Sequence, residues 1–272
     1  MNDKTVKVLL STALFIILIG MLFPLIYMLV TSFKNTGSLS GMVGFFKGAL
    51  TLDNYIKIFT QGGISRFLLN SIIVATAVTL GNLVFCLMTG YALARKKFFG
   101  NKALFFSATA VLMIPQHVVI IPVYILISKL GMFNTYWALI LPWLVNPLGV
   151  FLMRQYIINL PDDCEQAARI DGAGEFTILF RIVMPLCKPA LAVLAVQVFL
   201  TNWNSFLYPF ILTSSPNLYT LPVGLAMIQG LQQIDLGQLM AGSSIAALPV
   251  IIVFLFFQRQ ITEGITKGAI KG

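Results

Sequence analysis

Leu160-Pro161-Asp162-Asp163-Cys164-Glu165-Gln166-Ala167-Ala168-Arg169-Ile170-Asp171-Gly172-Ala173-Gly174 is the most polar segment of an otherwise very apolar chain. It predicts a short helix with both ends marked. Pro161 suits the first helical position, where its missing N–H costs nothing. Asp162 and Asp163 fall in the first turn, where the exposed N–H groups and the helix dipole favour negative charge. Gly172 suits the left-handed conformation that ends a helix. At helical spacing Cys164, Ala167, Ala168 and Asp171 share one face, small enough for another protein's backbone to approach closely. From Gly174 a second helical run leads to Pro185, which is expected to stop it. Taken alone, alanines and a glycine at these spacings equally describe a helix that packs on its own protein.

The surroundings give the segment its meaning. Of 272 residues 58% are hydrophobic and 10% charged, and the mean hydropathy is +0.90. A soluble domain carries about 25% charged residues. The charges here are also unevenly spread, leaving long uncharged runs, so the chain reads as an all-α polytopic membrane protein. The net charge of +9 then reports loop charges that set topology. No basic helix or aromatic–basic interleaving suggests a nucleic-acid partner. Cys86, Cys164 and Cys187 form no close pair with metal-ligand spacing and read as small packing residues. The uncharged run from Val8 to Phe33 is too long for a typical signal core and lacks a clear cleavage site, so it is expected to be retained as an anchor.

A span needs about 20 mostly apolar residues. Six runs qualify: about Val8 to Thr31, Leu68 to Ala94, Leu104 to Ile127, Trp137 to Tyr156, Pro189 to Leu212 and Met240 to Gln258. With the N-terminus inside, the inner segments hold 13 of the 18 lysines and arginines and the outer ones 5. The positive-inside rule therefore puts both termini and the 157–188 loop in the cytoplasm. Arg95-Lys96-Lys97 at the end of the second span reads as a basic turn that binds lipid phosphates.

The first outer segment carries Gly41, Gly44 and Gly48, which suggest turns. Thr51-Leu52-Asp53-Asn54-Tyr55 starts a short amphipathic helix capped by Thr51 or Asp53; an interfacial anchoring helix would read the same way. Ser214-Ser215-Pro216-Asn217 is expected as an outer turn. Ala241-Gly242-Ser243-Ser244 opens the sixth span with small residues that favour close packing.

Three spans are kinked or polar. The third holds Pro115 and Pro122 around Gln116 and His117, and irregular backbone at that depth is normally buried in protein or lines a cavity. His117 is the one histidine of the chain. It has no titratable partner in its own span, which favours an interhelical hydrogen bond over a proton relay. The fourth span holds Pro142, Asn146 and Pro147. The fifth carries Gln197, Thr201, Asn202, Trp203, Asn204 and Ser205, followed by Tyr208-Pro209. Sugars are held by amide hydrogen bonds together with aromatic faces, and Trp203 beside Asn202 and Asn204 offers both. Gln116, His117, Gln197, Asn202, Trp203 and Asn204 are therefore the solute-path candidates. Interhelical glue, with Trp203 as a packing residue, is the competing reading.

No Gly-rich phosphate loop, carboxylate pair or nucleophile–base arrangement stands out, and the spans hold no acidic residue. The chain is not expected to be an enzyme or to bind ATP itself.

The polar segment resembles the EAA loop of ABC importer permeases: Glu-Ala-Ala, three residues, Gly, nine residues, Ile, any residue, Leu-Pro. Here it reads Gln166-Ala167-Ala168, Gly172, Ile182 and Met184-Pro185, with Gln166 in place of Glu and Met184 in place of Leu. Glu165 lies about 100° round the helix from Gln166, which puts in question a family salt bridge made by the glutamate. The Ala-Ala-Arg-Ile-Asp-Gly-Ala wording, the third-span Ile-Pro pairs, the Trp203-Asn204 segment, the Leu-Asp-Asn-Tyr helix and the tail from Phe257 to Gly272 together resemble the carbohydrate-uptake, MalG-like branch. The resemblance covers about Val8 to Gly272. It implies a type I permease with six spans, a single transmembrane domain over 1–272 and a cytoplasmic coupling helix. It also implies a second homologous permease, two ATPase subunits that hold the ATP and Mg, an extracytoplasmic solute-binding protein and a sugar cargo in a bacterial cell membrane. In that family the tail reaches the ATPase. The ATPase-docking residues would be Glu165, Gln166, Ala167, Ala168, Asp171 and Gly172.

Three rival readings make different demands. A secondary transporter working alone would want charged residues inside the spans. A polyamine permease would want acidic residues along the path. A non-transporting scaffold would not need kinked, polar third and fifth spans.

Overall fold

The computed structural model describes residues 3–35, 45–46, 48–232 and 236–269. Gly41, Gly44 and the last three residues of the tail lie outside them. The described residues are nearly all helical. In chain order they form α1 (Asp3–Ser32), α2 (Asp53–Thr60), α3 (Ile64–Arg95), α4 (Asn101–Val111), α5 (Ile120–Lys129) and α6 (Tyr136–Ile140). Then follow α7 (Pro147–Ile158), α8 (Asp163–Ile170), α9 (Glu175–Leu186), α10 (Lys188–Trp203), α11 (Leu207–Leu212), α12 (Leu221–Gln232) and α13 (Leu236–Ala269). Two short strands, β1 (Lys34–Asn35) and β2 (Ala49–Leu50), pair antiparallel with Lys34 opposite Leu50.

Lys7–Ser32, Ile64–Arg95, Tyr136–Ile158 and Leu236–Gln258 are long and apolar enough to cross a membrane. Two further runs reach that length only as bent pairs: Asn101–Val111 with Gln116–Lys129, bent by 97°, and Glu175–Leu186 with Lys188–Trp203, bent by 82°. Among the described residues, four helices, or six if each bent pair is one span, are therefore candidates by length and composition. The breaks follow the prolines. A proline ring clashes with the carbonyl four residues back and offers no N–H. Accordingly α4 ends at Val111, four before Pro115, and the helical run after Trp203 breaks across Ser205, four before Pro209. At Pro185 the structure differs from expectation. The helix continues to Leu186, and the misfit is absorbed upstream as a π-helical stretch over Ile178–Val183.

The chain divides into two compact units, Met1–Phe67 with Leu221–Pro249 and Leu68–Thr220 with Val250–Gly272. In the first, buried Asn54 donates from Nδ2 to the carbonyls of Ser32 (2.9 Å) and Lys34 (2.8 Å). Thr51 Oγ1 accepts from the Asp53 N–H at 3.0 Å, but the cap position of α2 falls on Leu52, with no side-chain cap bond, and not on Thr51 or Asp53 as expected. The Leu-Asp-Asn-Tyr helix is thus packed in place, beyond a loose interfacial anchor. In the second unit, α3, α7 and α10 supply much of the apolar core, with Leu87, Met153 and Leu194 fully buried. Close approach explains Gly90: a Cβ there would lie 2.7 Å from Met153 Cβ and 2.9 Å from the Arg154 N. The Arg154 guanidinium sits 3.8 Å over the Phe105 ring, joining α7 to α4. The turn at 214–217 is held as expected of a tight turn, with Asn134 Oδ1 accepting from the N–H groups of Ser214 and Ser215.

Candidate functional site: a clamped polar helix and a cavity at the helix breaks

The polar segment forms α8, beginning two residues later than Pro161 would place it. Its C-terminal end carries a complete left-handed stop. Gly172 has φ +81°, its N–H donates to the Arg169 carbonyl (3.1 Å), and the Ala173 N–H donates to the Ala168 carbonyl (2.9 Å).

Glu165 is turned inward and Gln166 is exposed. Glu165, only 2% exposed, accepts from Arg95 Nε at 2.9 Å, and Arg95 Nη2 also donates to the Leu160 carbonyl at 2.7 Å. The other carboxylate oxygen of Glu165 takes no hydrogen bond and lies 3.6 Å from Arg169 Nη2, an ion-pair distance. Around this pair the end of α3, α8 and the start of α9 are cross-tied. Tyr91 O–H donates to Glu175 Oε2 (3.0 Å), Arg169 Nη2 donates to Tyr91 Oη (3.2 Å), and Lys96 Nζ bonds Glu175 Oε1. The Lys96 ammonium holds the Glu175 carboxyl below the usual carboxylate range.

Of the six docking candidates, Gln166, Ala167, Asp171 and Gly172 are exposed. Ala168 is half-buried against the core, and Glu165 is turned inward. The carboxylate therefore holds α8 on its own chain and presents nothing outward, while the Gln166 side-chain amide donates to Asp162 Oδ2 at 2.8 Å. Sequence reading missed Ile170, which is 87% exposed in the middle of this polar segment, and the neighbouring exposed Phe176. The signal was present as the one large apolar residue in Ala-Ala-Arg-Ile-Asp-Gly.

Within the same unit, the breaks after α4, after α6 and after α10 surround one cavity of about 350 Å³. Side chains satisfy the carbonyls that the breaks free, as a low-dielectric setting requires. Tyr208 O–H donates to the Gln116 carbonyl (2.5 Å), Asn82 Nδ2 to the Trp143 carbonyl (2.6 Å) and Cys86 S–H to the Asn146 carbonyl (3.5 Å). Pro147 opens α7 and Asn146 caps it, its Oδ1 accepting from the Leu148 N–H at 2.9 Å. Trp143 and Tyr208 meet edge to face, centroids 4.4 Å apart, on the cavity wall.

Of the solute-path candidates, Gln116 and Asn202 line the cavity; His117, Gln197, Trp203 and Asn204 do not. Trp203 is 3% exposed and stacks on Phe199 at 5.7 Å. Asn204 is exposed and donates to the Leu200 carbonyl, and His117 is exposed on its 3-10 turn. The indole in the wall is Trp143, from the fourth expected span. Asn82, in the second expected span, was missed by the sequence reading; an amide at that depth was the signal that could have found it.

Broken helices that enclose a cavity with both apolar and polar lining, on a chain with several helices long and apolar enough to cross a membrane, fit a multi-pass membrane transport subunit. The profile of the binding-protein-dependent transport system inner membrane component matches residues 86–267, and the chain belongs to that family. It is 39% identical over 254 residues to the arabinooligosaccharides transport system permease protein AraQ of Halalkalibacterium halodurans, covering 92% of this chain and 91% of the relative. It is 34% identical to the trehalose/maltose transport system permease protein MalG of Thermococcus litoralis, over the full length of both. The fold is similar to a chain in the crystal structure of a bacterial ABC transporter involved in the import of the acidic polysaccharide alginate (TM-score 0.83, 20% identity, 94% and 96% coverage).

Proposed function

We propose that this chain is a permease subunit of an ATP-driven sugar importer, forming half of its pore as one transmembrane domain over residues 1–272. The partners would be a second homologous permease, two ATPase subunits and an extracytoplasmic sugar-binding protein. Both termini and the loop around 157–188 would face the cytoplasm, in keeping with the 13 inner basic residues.

The observation that carries the reading is the presentation of α8. Its carboxylate and two arginines are spent on holding it to the end of α3, while Gln166, Ala167, Ile170, Asp171 and Gly172 stay exposed. A small-residue surface with one projecting apolar side chain suits insertion into a groove on a partner. ATP-driven closure of the ATPase dimer would push on α8 and, through Arg95, on α3. The spans would then rock between inward-facing and outward-facing states.

The carbohydrate cargo is supported by the relatives that carry arabinooligosaccharides or trehalose and maltose. A polyamine would favour acidic lining, and none of the cavity's described lining residues is acidic. The test is the assembled complex in proteoliposomes with its binding protein, assayed for ATP hydrolysis with arabinotriose, maltose and trehalose. Stimulation by one of them supports sugar import. Stimulation by spermidine and by no sugar contradicts it.

A further inference from the structure

We propose that the turn between α3 and α4 binds anionic phospholipid. Lys97 and Lys102 meet the headgroup phosphates, and Phe98 and Phe99 meet the apolar layer beside them. The inference needs only that α3 crosses the membrane, and it holds whatever solute is carried.

The sequence places lipid phosphates against Arg95-Lys96-Lys97, and the structure moves the site along the chain. Arg95 is taken by Glu165 and the Leu160 carbonyl, and Lys96 by Glu175. Lys97 and Lys102 are exposed, and neither forms an ion pair among the described residues. The two carboxylates tied to the end of α3, Glu165 and Glu175, are already matched by Arg95, Lys96 and Arg169. The turn therefore presents net positive charge. That charge complements an anionic headgroup and gives a zwitterionic one no such advantage.

The rest of the turn is apolar and firmly built. Phe99 is 104% exposed, no more covered than in an isolated peptide, and Phe98 is 43% exposed. Asn101 Nδ2 donates to the carbonyls of Lys96 (2.8 Å) and Leu93 (3.4 Å), closing the end of α3. Gly100 turns the chain at φ +86°, and its carbonyl accepts from the Leu104 N–H at 2.9 Å. The backbone thus holds the two rings outside, so little further ordering is needed on binding. One exposed ring alone would mean nothing. Here the apolar surface goes on along α4 through exposed Leu104 and Phe106. α4 has no buried residue and belongs to a bent run of membrane-crossing length. That continuity points to lipid and away from a soluble partner such as the ATPase. A phospholipid sets its phosphate directly beside its acyl chains. Two lysines flanking two aromatic rings match that order, with the lysine stems reaching across it.

The test uses the complete complex with the photoreactive p-benzoylphenylalanine in place of Phe99. The complex is set in proteoliposomes with phosphatidylglycerol as the minor lipid and phosphatidylcholine as the major one. Irradiation followed by mass spectrometry identifies what the ring touches. Lipid adducts are expected. Their ratio of phosphatidylglycerol to phosphatidylcholine should exceed the bilayer's own by about fivefold or more, the attraction of one lysine near a charged surface. Lys97→Gln combined with Lys102→Gln should return that ratio to the bilayer's. Should the double variant fail to assemble, Lys102→Gln alone should lower the enrichment by about the same factor. Adducts with the ATPase in place of lipid overturn the proposal and assign the turn to subunit docking. An absence of lipid adducts overturns it as well. So does a ratio equal to the bilayer's in the parent complex, or an enrichment that survives the loss of the lysines. None of these outcomes bears on whether a sugar stimulates ATP hydrolysis, so the transport reading stands or falls separately.

Discussion

Arg95 at the end of α3 donates to Glu165 on α8 at 2.9 Å, in a setting where the carboxylate is almost wholly buried. The pair joins two segments 70 residues apart and makes α8 a rigid extension of a membrane-crossing helix. Removing one partner of a buried pair strands the other. Glu165→Ala is therefore expected to destabilise the chain by about 3 kcal/mol. Thermal unfolding in detergent of Glu165→Ala, Arg95→Ala and the double variant checks it. The double variant should be clearly less destabilised than the two single losses added together. Strict additivity would show that the two residues do not act on each other.

Gly172 stops α8 in a left-handed conformation, and a Cβ there meets nothing within 4 Å. The penalty for substitution is thus one of backbone and charge, not of crowding. Gly172→Val should cost about 1–2 kcal/mol through the left-handed backbone. Gly172→Asp should in addition put charge into the docking face and lower solute carried per ATP hydrolysed. Gly172→Asn, which tolerates this conformation, should stay close to the parent in transport assays. Normal coupling in Gly172→Asp at normal expression would remove Gly172 from the docking surface.

Ile170 projects into water from a segment that is otherwise polar. Ile170→Asp should leave the chain's own unfolding temperature nearly unchanged, since it loses almost no packing. It should sharply reduce the ATPase recovered with the chain on affinity purification. Unaltered recovery would make Ile170 an ordinary exposed apolar residue.

Trp143 and Trp203 separate affinity from stability. Trp203 is buried against Phe199, so Trp203→Ala should cost about 3 kcal/mol or more of stability. Trp143 forms part of the cavity wall, so Trp143→Ala should chiefly raise the half-saturation concentration for sugar uptake. Uptake kinetics and unfolding curves for both variants distinguish the two effects. The reverse pattern would mean that the cavity is not on the solute path.

Local chemistry made much of this legible. The left-handed stop at Gly172 and the irregular backbone at Pro115 follow from glycine and proline alone. The full break before Pro209 and the N-cap that Asn146 gives α7 were not read from the sequence. What was hidden depends on distant partners or on helix phase. Nothing near Glu165 announces that Arg95, on another helix, will turn it inward. Beside a break the helical period fails, so adjacency in sequence promoted Trp203 when the indole in the wall comes from Trp143. Pro161 suggested an earlier start for α8, but Asp162 takes the cap position and Gln166 donates back to it.

The central claim is that α8 is the point where an ATPase docks, and affinity purification of the chain from native membranes in mild detergent tests it most directly. The account predicts that an ATPase and a second permease co-purify with the parent chain, and that the ATPase is lost selectively from Ile170→Asp. Recovery of the chain alone, in a preparation that preserves a known ABC complex, would contradict it.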